Sequence, residues 1–183
     1  MKNKKIAAIG IFGSLAWVIS IFSFPLIPAF PFLKIDFSDI ILFLVTAGYG
    51  FHVGIIATAI RSGLSYAMSF GEMGYPIGDV TAFIASLCVI LPLAHTFKKY
   101  PDNIKKQHFA GMSAIVLLTI MMTILNIWVV LPLYTMILGI SVGPVLNYIL
   151  TGVIPFNLLK GIILYALIAM VWPKLVKFIK KIN

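Results

Sequence analysis

Among the polar side chains inside otherwise apolar stretches, four stand out: Arg61, Asn126, Asn157 and Lys160. A charged group in such a run is expensive in lipid and by default marks function. Asn157 and Lys160 are three residues apart, so on a helix they share a face. A carboxamide offers donors and acceptors together, and an ammonium offers three donors. That combination suits gripping the polar edge of a ligand. Lys160 has no acidic residue near it in sequence and lies mid-span, too deep to snorkel, so the Asn157/Lys160 pair reads as a ligand contact. Asn126 has a second explanation, a hydrogen bond to a neighbouring helix. Arg61 also has one, a structural ion pair with Glu72 or Asp79.

Bond-breaking chemistry finds little support. No G-x-x-x-x-G-K-[ST] pattern occurs, so the chain does not hydrolyse ATP by itself. Neither a Ser/His/Asp nor a Cys/His set falls at plausible depths, and paired carboxylates are absent from the span interiors. His52, His95 and His108 are scattered without metal-ligand spacing, and the single Cys88 cannot form an intrachain disulfide. The expectation is a protein that is not an enzyme and holds no catalytic residue, metal or cofactor.

The elements that must position these groups follow from composition. Of 183 residues, 61% are apolar and only 10% charged, where soluble domains average about 25% charged. One soluble core of this size cannot bury so much apolar side chain. A bilayer-spanning helix needs about 20 apolar residues, and six such spans fill the chain as a single transmembrane domain over residues 1–183. The expected spans run from about Ile6 to Phe24, from Ile40 to the glycines of AGYGFHVG, and from Val53 to Phe70. The others run from Ile77 to Phe97, from Phe109 to Leu131 with an end at Pro132, and from Leu146 to Val171. Prolines 25, 28 and 31 keep the segment PLIPAFPFLKIDFSD out of helix. GEMGYP and GISVGP read as loops. MKNKK lacks a following small-residue cleavage site and reads as the flank of the first span.

The net charge of +9 reflects topology. Eleven of the fourteen basic residues sit at span ends, in the clusters Lys2/Lys4/Lys5, Lys98/Lys99/Lys105/Lys106 and Lys174/Lys177/Lys180/Lys181. With six spans all three clusters fall on one side, which the positive-inside rule makes cytoplasmic. Both termini are then cytoplasmic, and nucleic-acid binding is not indicated. Asn126 and Asn157 approach the outer end on adjacent spans, beside Pro132 and Pro155. Those prolines free backbone groups that only a protein-lined cavity tolerates. An outward-opening pocket with apolar walls is expected there, with segment 24–37 folded over it or resting at the headgroups.

Three stretches carry a resemblance: FPLIPAFPFLKIDFSD after the first span, LNIWVVLPLY ending the fifth, and VIPFNLLKG in the sixth. Together, in this order and spacing over nearly the whole chain, they resemble the riboflavin-specific S component of energy-coupling factor (ECF) transporters. LKIDFSD is widespread among S components, whereas its combination with N-x-x-x-x-x-P-L-Y and P-F-N-L-L-K is specific to the flavin branch. The resemblance implies a six-helix S-component fold in a bacterial cell membrane. It implies capture of riboflavin, or its phosphate FMN, from outside as a transported ligand. It also implies work with a transmembrane coupling subunit and two ATPase subunits. By motif match it assigns flavin contacts to Leu33, Lys34, Asn126, Asn157 and Lys160. S components usually dock the coupling subunit through Ala-x-x-x-Ala on the first helix. Here the nearest equivalent is Gly10-x-x-x-Ser14, with Gly13 and Ala16 nearby, and packing within the chain competes with docking as its explanation.

Two other readings stand beside this one. An S component for pantothenate or a pyridoxine-like ring would use the same fold. A stand-alone secondary transporter would need an ion-coupling titratable group, for which the middle of the spans offers only Arg61 and Lys160.

Overall fold

The computed structural model describes residues 2–139 and 143–182. Its first helix, α1 (Lys2–Ser20), ends where the chain meets the first prolines. Phe24–Pro25 (β1) and Lys34–Ile35 (β2) then pair antiparallel, making a short hairpin of the Pro-rich segment. A proline in so short a strand is tolerated because its ladder needs few N–H donors. Next comes α2 (Ser38–Tyr49), begun by the Asp36 carboxylate, which accepts the Ser38 N–H at 2.8 Å. At about 1.5 Å per residue its 12 residues cover about 18 Å, well short of a bilayer. Gly50, at φ 100°, turns the chain directly into α3 (Phe51–Ser69), a conformation that glycine adopts without strain. After a tight turn at residues 70–76, α4 (Ile77–Lys99) follows.

The last two spans are interrupted rods. α5 (Ile104–Leu125) passes through a π-helical turn, Asn126–Val130, into α6 (Leu131–Leu138). α7 (Val145–Tyr148) passes through a second π turn, Ile149–Val153, into α8 (Ile154–Ile182). In each, the residue after the turn bonds five back: Leu131 N–H to the Asn126 carbonyl, Ile154 N–H to that of Ile149. The expected end of the fifth span at Pro132 is therefore wrong. The extra residue of the π turn gives the pyrrolidine ring room, so the rod continues to a left-handed cap at Gly139. The loop expected at GISVGP includes residues 140–142, which lie outside the described residues.

Six helical rods result among the described residues. Three of them, Ile77–Lys99, Ile104–Ile137 and Val145–Lys177, are long and apolar enough to cross a membrane unaided. α1 packs on α3 through Gly13, where any Cβ would meet the Ile60 side chain at 2.9 Å. An aromatic cluster marks the core at the lysine-rich end. There Phe43, Phe97 and Trp172 stack edge to face at 5.1–5.8 Å, and the Trp172 indole N–H donates to the Pro101 carbonyl.

Candidate functional site

At the opposite end, the close of α1, the hairpin, α3, the start of α4, the first π turn and the residues flanking the second surround a cavity of about 210 Å³. With its open mouth included, the space is about 940 Å³. Its walls include Leu33 and Lys34 from the hairpin, Asn126 from the first π turn, and Asn157 and Lys160 from α8. All five residues expected to contact a ligand thus line one space, although they come from three distant stretches of sequence.

The interruption of each rod shapes how its amide is presented. Asn126 donates from Nδ2 to the Met122 carbonyl at 2.8 Å, and Asn157 donates from Nδ2 to the Val153 carbonyl at 2.8 Å. Each bond fixes the carboxamide and leaves its second N–H and its oxygen in play. The Asn126 oxygen accepts the Tyr148 hydroxyl at 2.8 Å. Among the described residues the Asn157 oxygen has no partner, so an acceptor and a donor remain for a ligand.

The hairpin is held over this space by aromatic contacts. Phe30 meets Tyr148 edge to face at 5.3 Å, and Phe32 meets Tyr134 at 6.0 Å. Phe30 lies on Gly152, where an added Cβ would come within 2.8 Å of its ring. The headgroup-level reading therefore fails for Phe30 and Phe32, which turn inward onto tyrosines. Phe24 and Phe37, by contrast, are exposed and pack on each other at 6.2 Å. Tyr134 in turn donates to Glu72 at 3.5 Å, and Glu72 also accepts the Gly78 N–H at 3.0 Å, tying the 70–76 turn to α6.

Below the mouth lies a charge cluster that corrects two sequence expectations. Arg61 does not pair with Glu72 or Asp79. Its Nη2 lies 3.9 Å from Asp39 and donates to the Ser86 hydroxyl at 2.5 Å. Lys160 is not unpaired either, because its Nζ lies 4.0 Å from the other Asp39 oxygen. Asp36, in the loop before α2, adds a second carboxylate. Burial raises its pKa, but Lys160, the bonds from Ser38 and Arg61 outweigh that and hold it below the usual carboxylate value. Sequence reasoning missed Asp39, Tyr134 and Tyr148. Asp39 carried a usable signal, since it shares a helix face with the buried Leu42, Phe43 and Thr46.

On the first helix, Gly10 and Ser14 point away from the bundle. A Cβ at Gly10 would meet nothing within 4 Å, and Ser14 is exposed, whereas Gly13 and Ala16 are buried.

A helical membrane bundle with one polar-floored cavity at one end and no cluster of metal-binding side chains among the described residues has the form of a capture subunit. The chain matches the family model of the ECF transporter substrate-specific component over residues 4–172, and it belongs to that family. It is thus a membrane transport component and not an enzyme. Its relatives include the riboflavin transporter FmnP of Bacillus subtilis (strain 168), 34% identical over 99% of this chain and 96% of that protein. The riboflavin transporter RibU of Staphylococcus aureus (strain TCH60) is 31% identical over 99% of this chain and 95% of that one. Among solved structures, the S component of a bacterial ECF transporter superposes with a TM-score of 0.79 at 30% identity, covering 98% of this chain and 99% of that chain.

Proposed function

We propose that this chain captures riboflavin from outside the cell and delivers it in concert with a transmembrane coupling subunit and two ATPase subunits. The observation that carries the proposal is the convergence of Leu33, Lys34, Asn126, Asn157 and Lys160 on one cavity. Relatives that share its full length are named riboflavin transporters, which supports the same substrate. The chemistry is apt. The uracil-like edge of a flavin alternates donors and acceptors, and a carboxamide matches both senses. Asn126 and Asn157 grip that edge, Lys160 donates from the floor, and Leu33 and Lys34 of the hairpin close the mouth. Apolar wall residues such as Phe156 and Val130 suit the tricyclic ring.

Docking of the coupling subunit is assigned to the outer face of α1 at Gly10 and Ser14. Their small side chains face away from the bundle and permit close helix approach. Both termini are cytoplasmic in this reading, because the lysine clusters lie at the end opposite the cavity. Purification from cells grown with riboflavin tests the substrate. A yellow, fluorescent protein whose chromophore is released on denaturation is expected, and colourless protein that ignores added riboflavin but takes up pantothenate or pyridoxine would overturn it.

A further inference from the structure

Among the described residues, Asp39 is the acidic side chain that lies within 4.0 Å of both Arg61 and Lys160. It is 2% exposed at the start of α2, with Arg61 of α3 at 4% and Lys160 of α8 at 6%. Its two oxygens are divided between them, 3.9 Å to Arg61 and 4.0 Å to Lys160. Both distances allow Coulombic attraction but exceed a hydrogen bond. The consequence for Lys160 is specific. Its charge is compensated, yet among the described residues its Nζ donates no hydrogen bond, while the residue lines the cavity. Arg61 is anchored differently, by donating to Ser86 and to the Ala82 carbonyl of α4. The Asp39 oxygen facing Arg61 is itself buried without a hydrogen bond. A carboxylate placed to bind either cation tightly would have consumed such donors.

We infer that Asp39 is a positioning residue for the captured ligand: its carboxylate holds Lys160 at the cavity floor while leaving the ammonium donors free for the ligand. The inference rests on the riboflavin reading and on Lys160 as a contact. Without Asp39, Arg61 and Lys160 would repel each other with only the Asp36 carboxylate at the cavity wall to offset them, and Lys160 would lose the partner that holds it at the floor. Asp39 would touch no ligand atom and would act only through Lys160.

A double-mutant cycle on riboflavin affinity tests this, using the purified full chain and Asp39→Asn with Lys160→Gln. Asp39→Asn alone is expected to weaken binding at least tenfold, and in the Lys160→Gln background to change it less than twofold. Equal loss in both backgrounds would overturn the inference, since Asp39 would then act independently of Lys160. Unchanged affinity in Asp39→Asn, with Lys160→Gln weakened, would overturn it as well. If Asp39→Asn does not give monodisperse protein, the same cycle runs with Asp39→Glu, which keeps the charge and moves it by one methylene. A loss confined to the Lys160 background is again expected, and additive losses again contradict. The outcomes separate from those of the parent reading. Wild-type protein that ignores riboflavin removes the substrate, and Lys160→Gln at wild-type affinity removes the contact.

Discussion

Asn126 and Asn157 do the same thing on different rods: each bonds back to the carbonyl four residues earlier and offers what remains to the cavity. Truncating either to alanine would leave ligand donors and acceptors buried without partners, at about 1–3 kcal/mol each. Riboflavin binding should weaken roughly five- to hundredfold, as 1.4 kcal/mol is about tenfold, and calorimetric titration of each variant checks it. Lys160→Ala should weaken binding to a similar degree and still fold. The reason differs from the one the sequence suggests. Lys160 is not an isolated charge, and its removal leaves Asp39 with Arg61 as a remaining counter-ion. A melting curve beside the titration distinguishes lost affinity from lost fold. This pairing was illegible in sequence because Asp39 and Lys160 lie on helices far apart along the chain. The amides were legible because a polar group inside an apolar run is conspicuous wherever its partner lies.

At the scale of the element, α1 has two small-residue faces, one buried at Gly13 and Ala16 and one turned outward at Gly10 and Ser14. Gly13 is packed against Ile60, so Gly13→Leu should overpack the α1–α3 contact and destabilise the protein by about 1–3 kcal/mol. Gly10→Leu and Ser14→Leu meet no such obstacle and should leave folding and riboflavin binding intact while blocking uptake in cells. Parallel measurement of binding and uptake checks both halves, and loss of binding in the Gly10 variant would assign that face to internal packing. The hairpin offers a second test. Gly152→Val would displace the Phe30 ring that rests there, and the loosened cover should show as faster riboflavin release in stopped-flow fluorescence. Spacing read from sequence located these elements well, because prolines and glycines punctuate them. It ended the fifth span too soon, since a proline that normally breaks a helix is accommodated here by a π turn, which has no simple sequence signature.

The whole molecule is polar at one end and basic at the other. The cavity lies among the ends of α1, α5 and the hairpin and the starts of α4 and α8, while the lysine-flanked turn at residues 98–106 lies against Trp172 at the far end. The helix count and the lysine asymmetry were readable from composition and run length. The depth of the cavity was not, because it depends on how rods far apart in sequence pack. If the basic end faces the cytoplasm, a cysteine introduced at Asn103 should resist an impermeant reagent in intact cells, and one at Ala29 should react.

The central claim is that riboflavin binds in this cavity through its polar floor. Calorimetric titration of wild type and of folded, monodisperse Asn157→Ala with riboflavin, pantothenate and pyridoxine addresses it most directly. Saturable binding of riboflavin alone is predicted, weakened at least fivefold in the variant. Wild-type affinity in Asn157→Ala, or binding of another vitamin in place of riboflavin, would contradict it.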